Sequence, residues 1–338
     1  MCIRGLAARR AGKAACVGLL AILTALLSVS SQGVAQLEGR LREWTVPVVD
    51  AQPAGIAVDA QGAVWVTLRR ANQIARLDPA SGEWELFVLP TANSGPLGIA
   101  ADADGNIWYA ASTSGKIGRV EAQTGKITEF TVPGNADAHS MAFAPDGTLW
   151  FTAERANRIF KLDPKTGGFG KFTVPTPEAR PQGIAIGSDG APWFCESGTN
   201  RLARVDPARG RITEIEIPFA DARPRQLVVL EQPVRAIYYT DAARGALGRL
   251  DLVRMSFRDW LSPSGKNAQP EAIAADEDGY LWYSELRANQ LVRFDPETQT
   301  FRRFTLPAPR SEVRAMITDQ KGRIWMALTG ANKIAVVE

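Results

Sequence analysis

The sequence repeats one short phrase along most of its length, and this repeat limits the fold more than any other feature. In its clearest copy, residues 146–152 read Asp-Gly-Thr-Leu-Trp-Phe-Thr, and a second turn follows at Asn157. Asp-Gly supplies the positive φ of a tight hairpin, and Leu-Trp-Phe-Thr has the composition of a half-buried strand. The central aromatic residues of the seven copies are 42 to 45 residues apart: Trp65, Trp108, Trp150, Trp193, Tyr238, Trp282 and Trp325. Periodicity on this scale is typical of a repeat architecture.

Each repeat contains four strand patterns. The first typically reads Gly-Ile-Ala-x-Asp, as at residues 55–59, and the second contains the aromatic residue. The third reads Ile-x-x-Leu-Asp-Pro, as at residues 159–164, and the fourth ends in Pro, as at residues 172–175. Four strands in about 43 residues are typical of a propeller blade. The sequence therefore predicts an all-β, seven-bladed β-propeller with four antiparallel strands per blade.

The two ends of the repeat complement each other. The last unit stops at its third strand, residues 334–338, and the missing fourth-strand pattern lies at residues 41–47, Leu-Arg-Glu-Trp-Thr-Val-Pro. We therefore expect the N-terminal strand to complete the last blade. A ring closed in this way has no unpaired blade, whereas the alternative, an open solenoid, would leave frayed ends.

The first 35 residues have the pattern of a secretory signal peptide. Four basic residues precede an apolar run at residues 14–29, and small residues at 33–35 offer a cleavage site after Ala35. We expect residues 36–338 to form one propeller domain that is periplasmic or secreted and has no membrane anchor after cleavage. The alternative is an uncleaved membrane anchor.

Composition excludes several classes of function. Without the four basic residues of the leader, the chain has 35 basic and 36 acidic residues, so it lacks the basic excess of a nucleic-acid-binding protein. Only Cys195 remains after the leader, which excludes a disulfide framework and a cysteine-based metal site.

The start of each first strand and the end of each second strand should lie on the same face of the ring, around the central channel. The start positions are Ala54, Leu97, His139, Gln182, Arg225, Glu271 and Arg314. The end positions are Leu68, Ala111, Ala153, Glu196, Asp241, Glu285 and Leu328. Both sets are apolar in the first two units and mostly polar from the fourth to the sixth.

This uneven ring predicts a ligand site. A channel mouth that is half apolar and half charged is typical of small-molecule sites, so we expect His139, Gln182, Arg225, Glu271 and Arg314 to bind a small-molecule or peptide ligand. The alternative is that these charges pair with each other. Three consecutive carboxylates could also hold a hard cation, Ca²⁺ or Mg²⁺: Glu196, Asp241 and Glu285. No other cofactor is expected, and the protein is expected to be a monomer.

The repeated phrases resemble those of the streptogramin lyases, also called virginiamycin B lyases. The resemblance is clear in the fourth unit at residues 181–184 (Pro-Gln-Gly-Ile), 193–196 (Trp-Phe-Cys-Glu) and 200–202 (Asn-Arg-Leu). It covers all of the propeller region and implies the same seven-bladed fold. The phrases are specific for this propeller superfamily and much less specific for the lyase reaction.

The resemblance implies what the reaction would need. These lyases linearise a cyclic depsipeptide by elimination, with a base and a magnesium ion. In the family, a His follows the Pro at the start of the first strand in each of the last two blades. A Glu lies two residues before the second of these His, and another Glu follows the last Trp. The first three positions here hold Glu271, Arg314 and Glu312, and no acidic residue lies between Trp325 and Glu338.

The only His of the chain, His139, occupies the equivalent position in the third unit. We therefore expect an exported binding propeller without the His-dependent lyase activity of the family. The alternative is a metal-assisted lyase of the virginiamycin B type, a carbon–oxygen lyase, or a lactonase-like enzyme. Glu271 and Glu312 are then the candidate catalytic residues, with Glu271 as the base only if burial raises its pKa.

Overall fold

The computed structural model describes residues 40–338, which form seven four-stranded antiparallel sheets. The predicted leader lies outside the described residues. Blade 1 consists of β2–β5, blades 2 to 6 continue in chain order, and blade 7 consists of β26–β28 with β1. Each first strand contacts the first strands of both neighbouring blades, and β26 contacts β2, which closes the ring around an axis. The prediction of a seven-bladed propeller is confirmed.

Strand lengths vary little from blade to blade. The inner strands are β2 (Pro53–Val58), β6 (Pro96–Ala101), β10 (Ala138–Phe143), β14 (Pro181–Ile186), β18 (Pro224–Leu230), β22 (Pro270–Ala275) and β26 (Val313–Thr318). The second strands are β3 (Val64–Leu68), β7 (Ile107–Ala111), β11 (Leu149–Ala153), β15 (Pro192–Glu196), β19 (Ala236–Asp241), β23 (Leu281–Glu285) and β27 (Ile324–Leu328). The third strands are β4 (Gln73–Leu77), β8 (Lys116–Val120), β12 (Arg158–Leu162), β16 (Arg201–Asp206), β20 (Ala246–Asp251), β24 (Gln290–Asp295) and β28 (Lys333–Val337). The outer strands are β5 (Trp84–Val88), β9 (Ile127–Thr131), β13 (Phe169–Thr173), β17 (Arg211–Glu216), β21 (Ser256–Leu261), β25 (Thr300–Thr305) and β1 (Leu41–Thr45). A 3-10 turn at Thr329–Ala331 precedes β28.

The N-terminal strand completes blade 7, as the sequence predicts. β1 pairs antiparallel with β28, with Leu41 opposite Val337 and Trp44 opposite Ile334. The Trp44 ring stacks on Trp325 with centroids 5.3 Å apart, in the same way that Trp65 stacks on Phe87 in blade 1. Blade 7 therefore has the packing of a blade built from one continuous segment.

The repeated Asp and Trp residues fix the turn between the first two strands. In blade 1, Asp59 accepts hydrogen bonds from the backbone N–H groups of Gln61 and Ala63 and from the Trp65 indole at 2.8 Å. The same indole–carboxylate bond joins Trp108 to Asp102, Trp282 to Asp276, and Trp325 to Asp319. The bond satisfies the indole N–H of a side chain that is otherwise surrounded by apolar atoms. The Trp residues are thus core residues between blades.

A hydroxyl on the second strand fixes the start of the inner strands in four blades. In blade 1, Thr67 Oγ1 accepts the Gly55 N–H at 2.7 Å and donates to Leu97 O of blade 2 at 2.8 Å. The same pair of contacts to the backbone of the blade itself and of the next one is made by Thr152, Thr240 and Ser284. These bonds cross between blades, so they hold neighbouring inner strands in fixed positions at the end where the ring positions lie.

The glycine of the repeated Pro-x-Gly phrase is needed because these inner strands lie so close together. A Cβ atom on Gly55 would lie 2.2 Å from Leu97 O, and one on Gly98 would lie 2.3 Å from His139 O.

In the described part of the chain, no helix is long and apolar enough to span a membrane.

Candidate functional site at the channel mouth

We call the end of the ring where the inner strands begin the channel mouth. Each predicted ligand-binding residue is the second residue of its inner strand: His139 of β10, Gln182 of β14, Arg225 of β18, Glu271 of β22 and Arg314 of β26. Because the inner strands are held in parallel around the axis, these five positions follow one another around the mouth.

Gln182, Arg225 and Glu271 form one hydrogen-bonded chain across three blades. Arg225 Nη1 donates to Gln182 Oε1 at 2.8 Å, and Arg225 Nε donates to Glu271 Oε2 at 3.2 Å. Ser197 Oγ also contacts Gln182 Oε1, at 3.1 Å, and donates to Pro224 O at 2.5 Å. Part of the charge at the mouth is therefore neutralised by pairing between neighbouring blades, one of the alternatives that the sequence left open.

Arg314 is held less tightly. Its Nη2 donates to Glu312 Oε2 at 2.9 Å, two residues away on the same segment. The two side chains are 44% and 41% exposed. Ion pairs with this exposure add little free energy, so Arg314 can exchange Glu312 for another anion at small cost.

His139 lies beside a carboxylate of its own blade. Its Nε2 is 4.0 Å from Glu154 Oε2, and its Nδ1 is 3.4 Å from Ser140 Oγ. Burial lowers the pKa of His139, the charge of Glu154 opposes that effect, and the charge of Arg225 adds to it. The imidazole is therefore neutral at pH 7. Because the charge of Arg225 acts on it, His139 interacts electrostatically with the Gln182–Arg225–Glu271 chain.

The second set of predicted ring positions does not line the mouth. Glu196, Asp241 and Glu285 end β15, β19 and β23 and are 0%, 1% and 0% exposed. The three carboxylates are therefore buried and not open to solvent at the mouth. The second strand lies one strand spacing, about 4.8 Å, further from the axis, so its side chains point into the space between blades.

Each of these carboxylates has separate local partners. Glu196 Oε2 accepts the Thr199 hydroxyl at 2.7 Å. Asp241 Oδ1 accepts backbone N–H groups of its own hairpin and of Arg223. Glu285 accepts the hydroxyl and the N–H of Ser264. The structure does not bring the three together.

Burial raises the pKa of all three carboxyls. The pKa of Glu196 rises to about 7, and the nearby Glu214 carboxylate adds to the effect of burial. Burial also raises the pKa of Asp241 and that of Glu285, against hydrogen bonds that lower it. Among residues 40–338, Glu196 Oε1 and Asp241 Oδ2 have no hydrogen-bond partner, although Arg244 Nη1 lies 3.9 Å from Asp241 Oδ2.

The predicted Ca²⁺ or Mg²⁺ site has no counterpart in these positions. Within residues 40–338, no group of three His, Cys, Asp or Glu side chains is arranged to hold a metal ion. A hard cation needs about six to eight converging oxygens, and carboxylates buried in separate interfaces between blades cannot supply them together.

A cavity of about 510 Å³ lies along the axis of the ring. All seven inner strands contribute to it, mainly through Gly, Ala, Ile, Leu, Met and Phe residues. Its polar side chains are Ser140, Gln226, Arg314 and Thr318. Arg314 therefore belongs both to the ring at the mouth and to the wall of the axial cavity.

Two residues of the mouth were not found by sequence reasoning. Glu154 follows the end of β11, and Ser197 follows the end of β15, so both lie one position beyond the residues chosen from the repeat. The repeat pattern could have indicated both residues, because the hairpin after each second strand lies at the mouth and its first residue can therefore contact the ring positions.

The family of this chain is decided by sequence. The model of the virginiamycin B lyase family matches residues 24–165 and 135–338, which together span the propeller. The chain belongs to the virginiamycin B lyase family. Among curated proteins, none matches the sequence.

Solved structures of virginiamycin B lyases have the same fold. The chain is 26% identical to virginiamycin B lyase from Staphylococcus aureus, covering 88% of this chain and 99% of that one with a TM-score of 0.81. A streptogramin B lyase is 27% identical, with 88% and 97% coverage and a TM-score of 0.81. A catalytically inactive histidine-to-alanine variant of the S. aureus enzyme with quinupristin is 26% identical, with 88% and 98% coverage and a TM-score of 0.80.

Both positions where the resemblance implies a His hold a charged residue in this chain. Of the two positions where the resemblance implies a His, one holds Glu271, which is paired with Arg225, and the other holds Arg314, which is paired with Glu312. Both positions are occupied by residues that already have partners of opposite charge.

Proposed function

We propose that this protein is an exported propeller that binds a small molecule or partner at the channel mouth and lacks the His-dependent lyase activity of its family. The proposal is carried by one observation: the positions expected to hold the two His residues hold Glu271 and Arg314, both in ion pairs. Arg314 cannot act as a base because a guanidinium stays protonated, and the Glu271 carboxylate is already occupied by its hydrogen bond from Arg225.

His139 does not replace the missing residues in the same place. It is at the start of blade 3, whereas the family positions are in blades 6 and 7. A general base must lie within hydrogen-bond reach of the proton that it removes, so a neutral imidazole several blades away is not equivalent. The metal-assisted alternative has less support, since its three proposed ligands are buried in different blades.

Quinupristin tests the proposal. The purified protein is incubated with quinupristin, and the products are followed by mass spectrometry beside S. aureus virginiamycin B lyase as the positive control. We expect the control to linearise the antibiotic and this protein to leave it cyclic. Linear product formed at a rate comparable to that of the control would contradict the proposal.

A double variant, Glu271→His with Arg314→His, tests whether the absence of the two His residues is the cause of the missing lyase activity. If the missing His residues are the cause, the double variant should gain detectable turnover, whereas the single variants should not. Turnover by the unmodified protein that disappears in His139→Gln would instead assign the base to blade 3.

Export is part of the same proposal and has its own test. Cell fractionation should place the protein in the periplasm or the medium, and N-terminal sequencing should begin after Ala35. Recovery of the protein with its first residues intact would favour the uncleaved anchor.

A further inference from the structure

We propose that the ligand of the channel mouth is an amphipathic monocarboxylate, whose apolar body enters the axial cavity and whose carboxylate pairs with Arg314. The inference rests on the proposed function, because it names the ligand class of the same site. It is drawn from the shape and lining of the cavity, the weak pairing of Arg314, and the charge of the surrounding face.

The axial cavity is large enough for such a body. Its volume of about 510 Å³ lies within the range of small-molecule sites, about 300–1,000 Å³. The wall consists mainly of inner-strand residues such as Ile99, Phe143, Ile184 and Ile273, and Arg314 is the single charged side chain among the described residues that line it. Transfer of an apolar group from water into this cavity has a favourable free energy of about 25 cal/mol per Å² of apolar surface buried.

Arg314 is placed to bind the polar end of the ligand. Its side chain contacts both the axial cavity and the mouth, and its pairing with Glu312 is exposed. Arg225, in contrast, is held by Gln182 and by Glu271, whose side chain is only 11% exposed. A ligand carboxylate can thus displace Glu312 from Arg314, whereas displacing Glu271 from Arg225 would leave a buried carboxylate without its cation.

The surrounding face favours an anion over a cation. Several exposed arginines in the loops at the mouth have no ion-pair partner among residues 40–338: Arg69, Arg180, Arg223 and Arg310. Two exposed carboxylates of these loops likewise have no ion-pair partner among residues 40–338: Glu178 and Asp221. The excess of positive charge attracts anionic ligands toward the mouth and repels amines. A bidentate guanidinium–carboxylate contact then fixes the head of the ligand.

Three ten-carbon probes separate the contributions of the tail and the head. Binding of decanoate, decanol and decyltrimethylammonium to the purified protein is measured by titration calorimetry below their critical micelle concentrations. We expect decanoate to bind at least about tenfold more tightly than decanol, and the ammonium probe to bind most weakly. Equal affinities for decanoate and decanol would overturn the inference, as would the absence of binding by all three.

Variants locate the binding. Arg314→Ala should weaken decanoate about tenfold and leave decanol unchanged, and Arg314→Glu should reverse the preference in favour of the ammonium probe. The matched control is Arg287→Ala, an exposed arginine on the same face whose side chain lies outside the cavity wall. Ala142→Phe, which adds a bulky side chain at the cavity wall beside the core between blades 3 and 4, should weaken all three probes. If that variant does not fold, the charge reversal at exposed Arg314 decides the question alone.

The outcomes distinguish this inference from the proposed function. Unchanged decanoate binding in Arg314→Ala overturns the inference and leaves the quinupristin result untouched. Efficient linearisation of quinupristin overturns the proposed function, whatever the decanoate result.

Discussion

Blades 2 and 4 carry a glutamate at the same place on the outer strand, but its surroundings differ. In blade 2, Glu129 accepts hydrogen bonds from Lys116 Nζ at 2.9 Å, Tyr109 OH at 3.1 Å and Thr91 Oγ1. Burial alone would raise the pKa of Glu129, but the hydrogen bonds from Thr91 and Lys116 and the charge of Lys116 lower it. This carboxylate is a stably charged member of a closed network.

In blade 4, Glu214 likewise accepts hydrogen bonds from a loop threonine, Thr176, at 2.8 Å through both its N–H and its hydroxyl. The position of Ala111 in blade 2 is occupied here by a second acid, Glu196, and that of Tyr109 by Phe194. Arg201, in the place of Lys116, donates to Thr199 O at 3.0 Å. On the same backbone, blade 4 therefore carries a second carboxyl, Glu196, whose pKa is raised by burial, at the position where blade 2 has an alanine.

The largest effect should come from removing the cation of blade 2. Lys116→Met leaves Glu129, whose side chain is 8% exposed, without its ion-pair partner. We expect a loss of about 2–4 kcal/mol in the free energy of unfolding at pH 7, measured by urea denaturation. Arg119→Met is the control, because its pair with Glu121 is more exposed and should cost less than about 1 kcal/mol. Equal losses in the two variants would show that burial does not distinguish these pairs.

The next effect concerns the space for the Tyr109 hydroxyl. A Cβ atom on Gly118 would lie 1.9 Å from the Tyr109 ring, so Gly118→Ala must displace that ring from Glu129. We expect the free energy of unfolding of Gly118→Ala to be about 1–3 kcal/mol lower than that of the parent protein. In blade 4 the equivalent residue is Ala203, beside Phe194, which has no hydroxyl to accommodate. Ala203→Gly should cost only about 0.5–1 kcal/mol through strand propensity. A Gly118→Ala variant as stable as the parent protein would contradict the packing argument.

The smallest effect should be a gain in stability in blade 4. Because the pKa of Glu196 rises from its ordinary value of 4.5 to about 7, its protonated form stabilises the fold below about pH 4.5, and this contribution is lost as the pH rises to about 7. Glu196→Gln imitates the protonated form at every pH. We expect the variant to match the parent near pH 4.5 and to exceed it by about 1–3 kcal/mol at pH 8.

Urea denaturation of both proteins at several pH values checks the Glu196→Gln prediction, with Glu216→Gln, an exposed carboxylate of the same blade, as the control. A difference between Glu196→Gln and the parent protein that stays constant with pH would show that Glu196 does not titrate in this range.

The fold was predictable because the residues that determine the structure of each blade are close to one another in the sequence. The Asp–Trp bond that fixes the first turn involves residues six positions apart, as in Asp59 and Trp65, and the hairpin glycines follow directly. Four blades contain this bond, and the aromatic residue of the second strand recurs in all seven, as Tyr238 in blade 5, so the architecture can be identified even where part of the pattern is missing. The closure of blade 7 could be predicted for the same reason, because residues 41–47 complete a pattern that is missing at the other end.

The candidate site was only partly predictable because its contacts cross between blades. The five inner-strand residues share one register, each being second in its strand, because this register follows from the repeat. The partners of Arg225 lie 43 and 46 residues away, and no local pattern indicates which of them a long side chain will reach. The burial of Glu196 was missed for a related reason: alternation along a strand gives the side of a sheet but not whether a neighbouring blade covers it.

The meeting of β1 with β28 also sets the order in which the molecule can assemble. Leu41 lies opposite Val337, so β1 cannot find its permanent partner until β28 has been synthesised. Until then, the newly made polypeptide lacks its circular closure, and the early blades remain an open arc with two exposed margins. Deletion of Lys333–Val337 would therefore remove the strand that links β1 to the rest of its blade and leave the ring open.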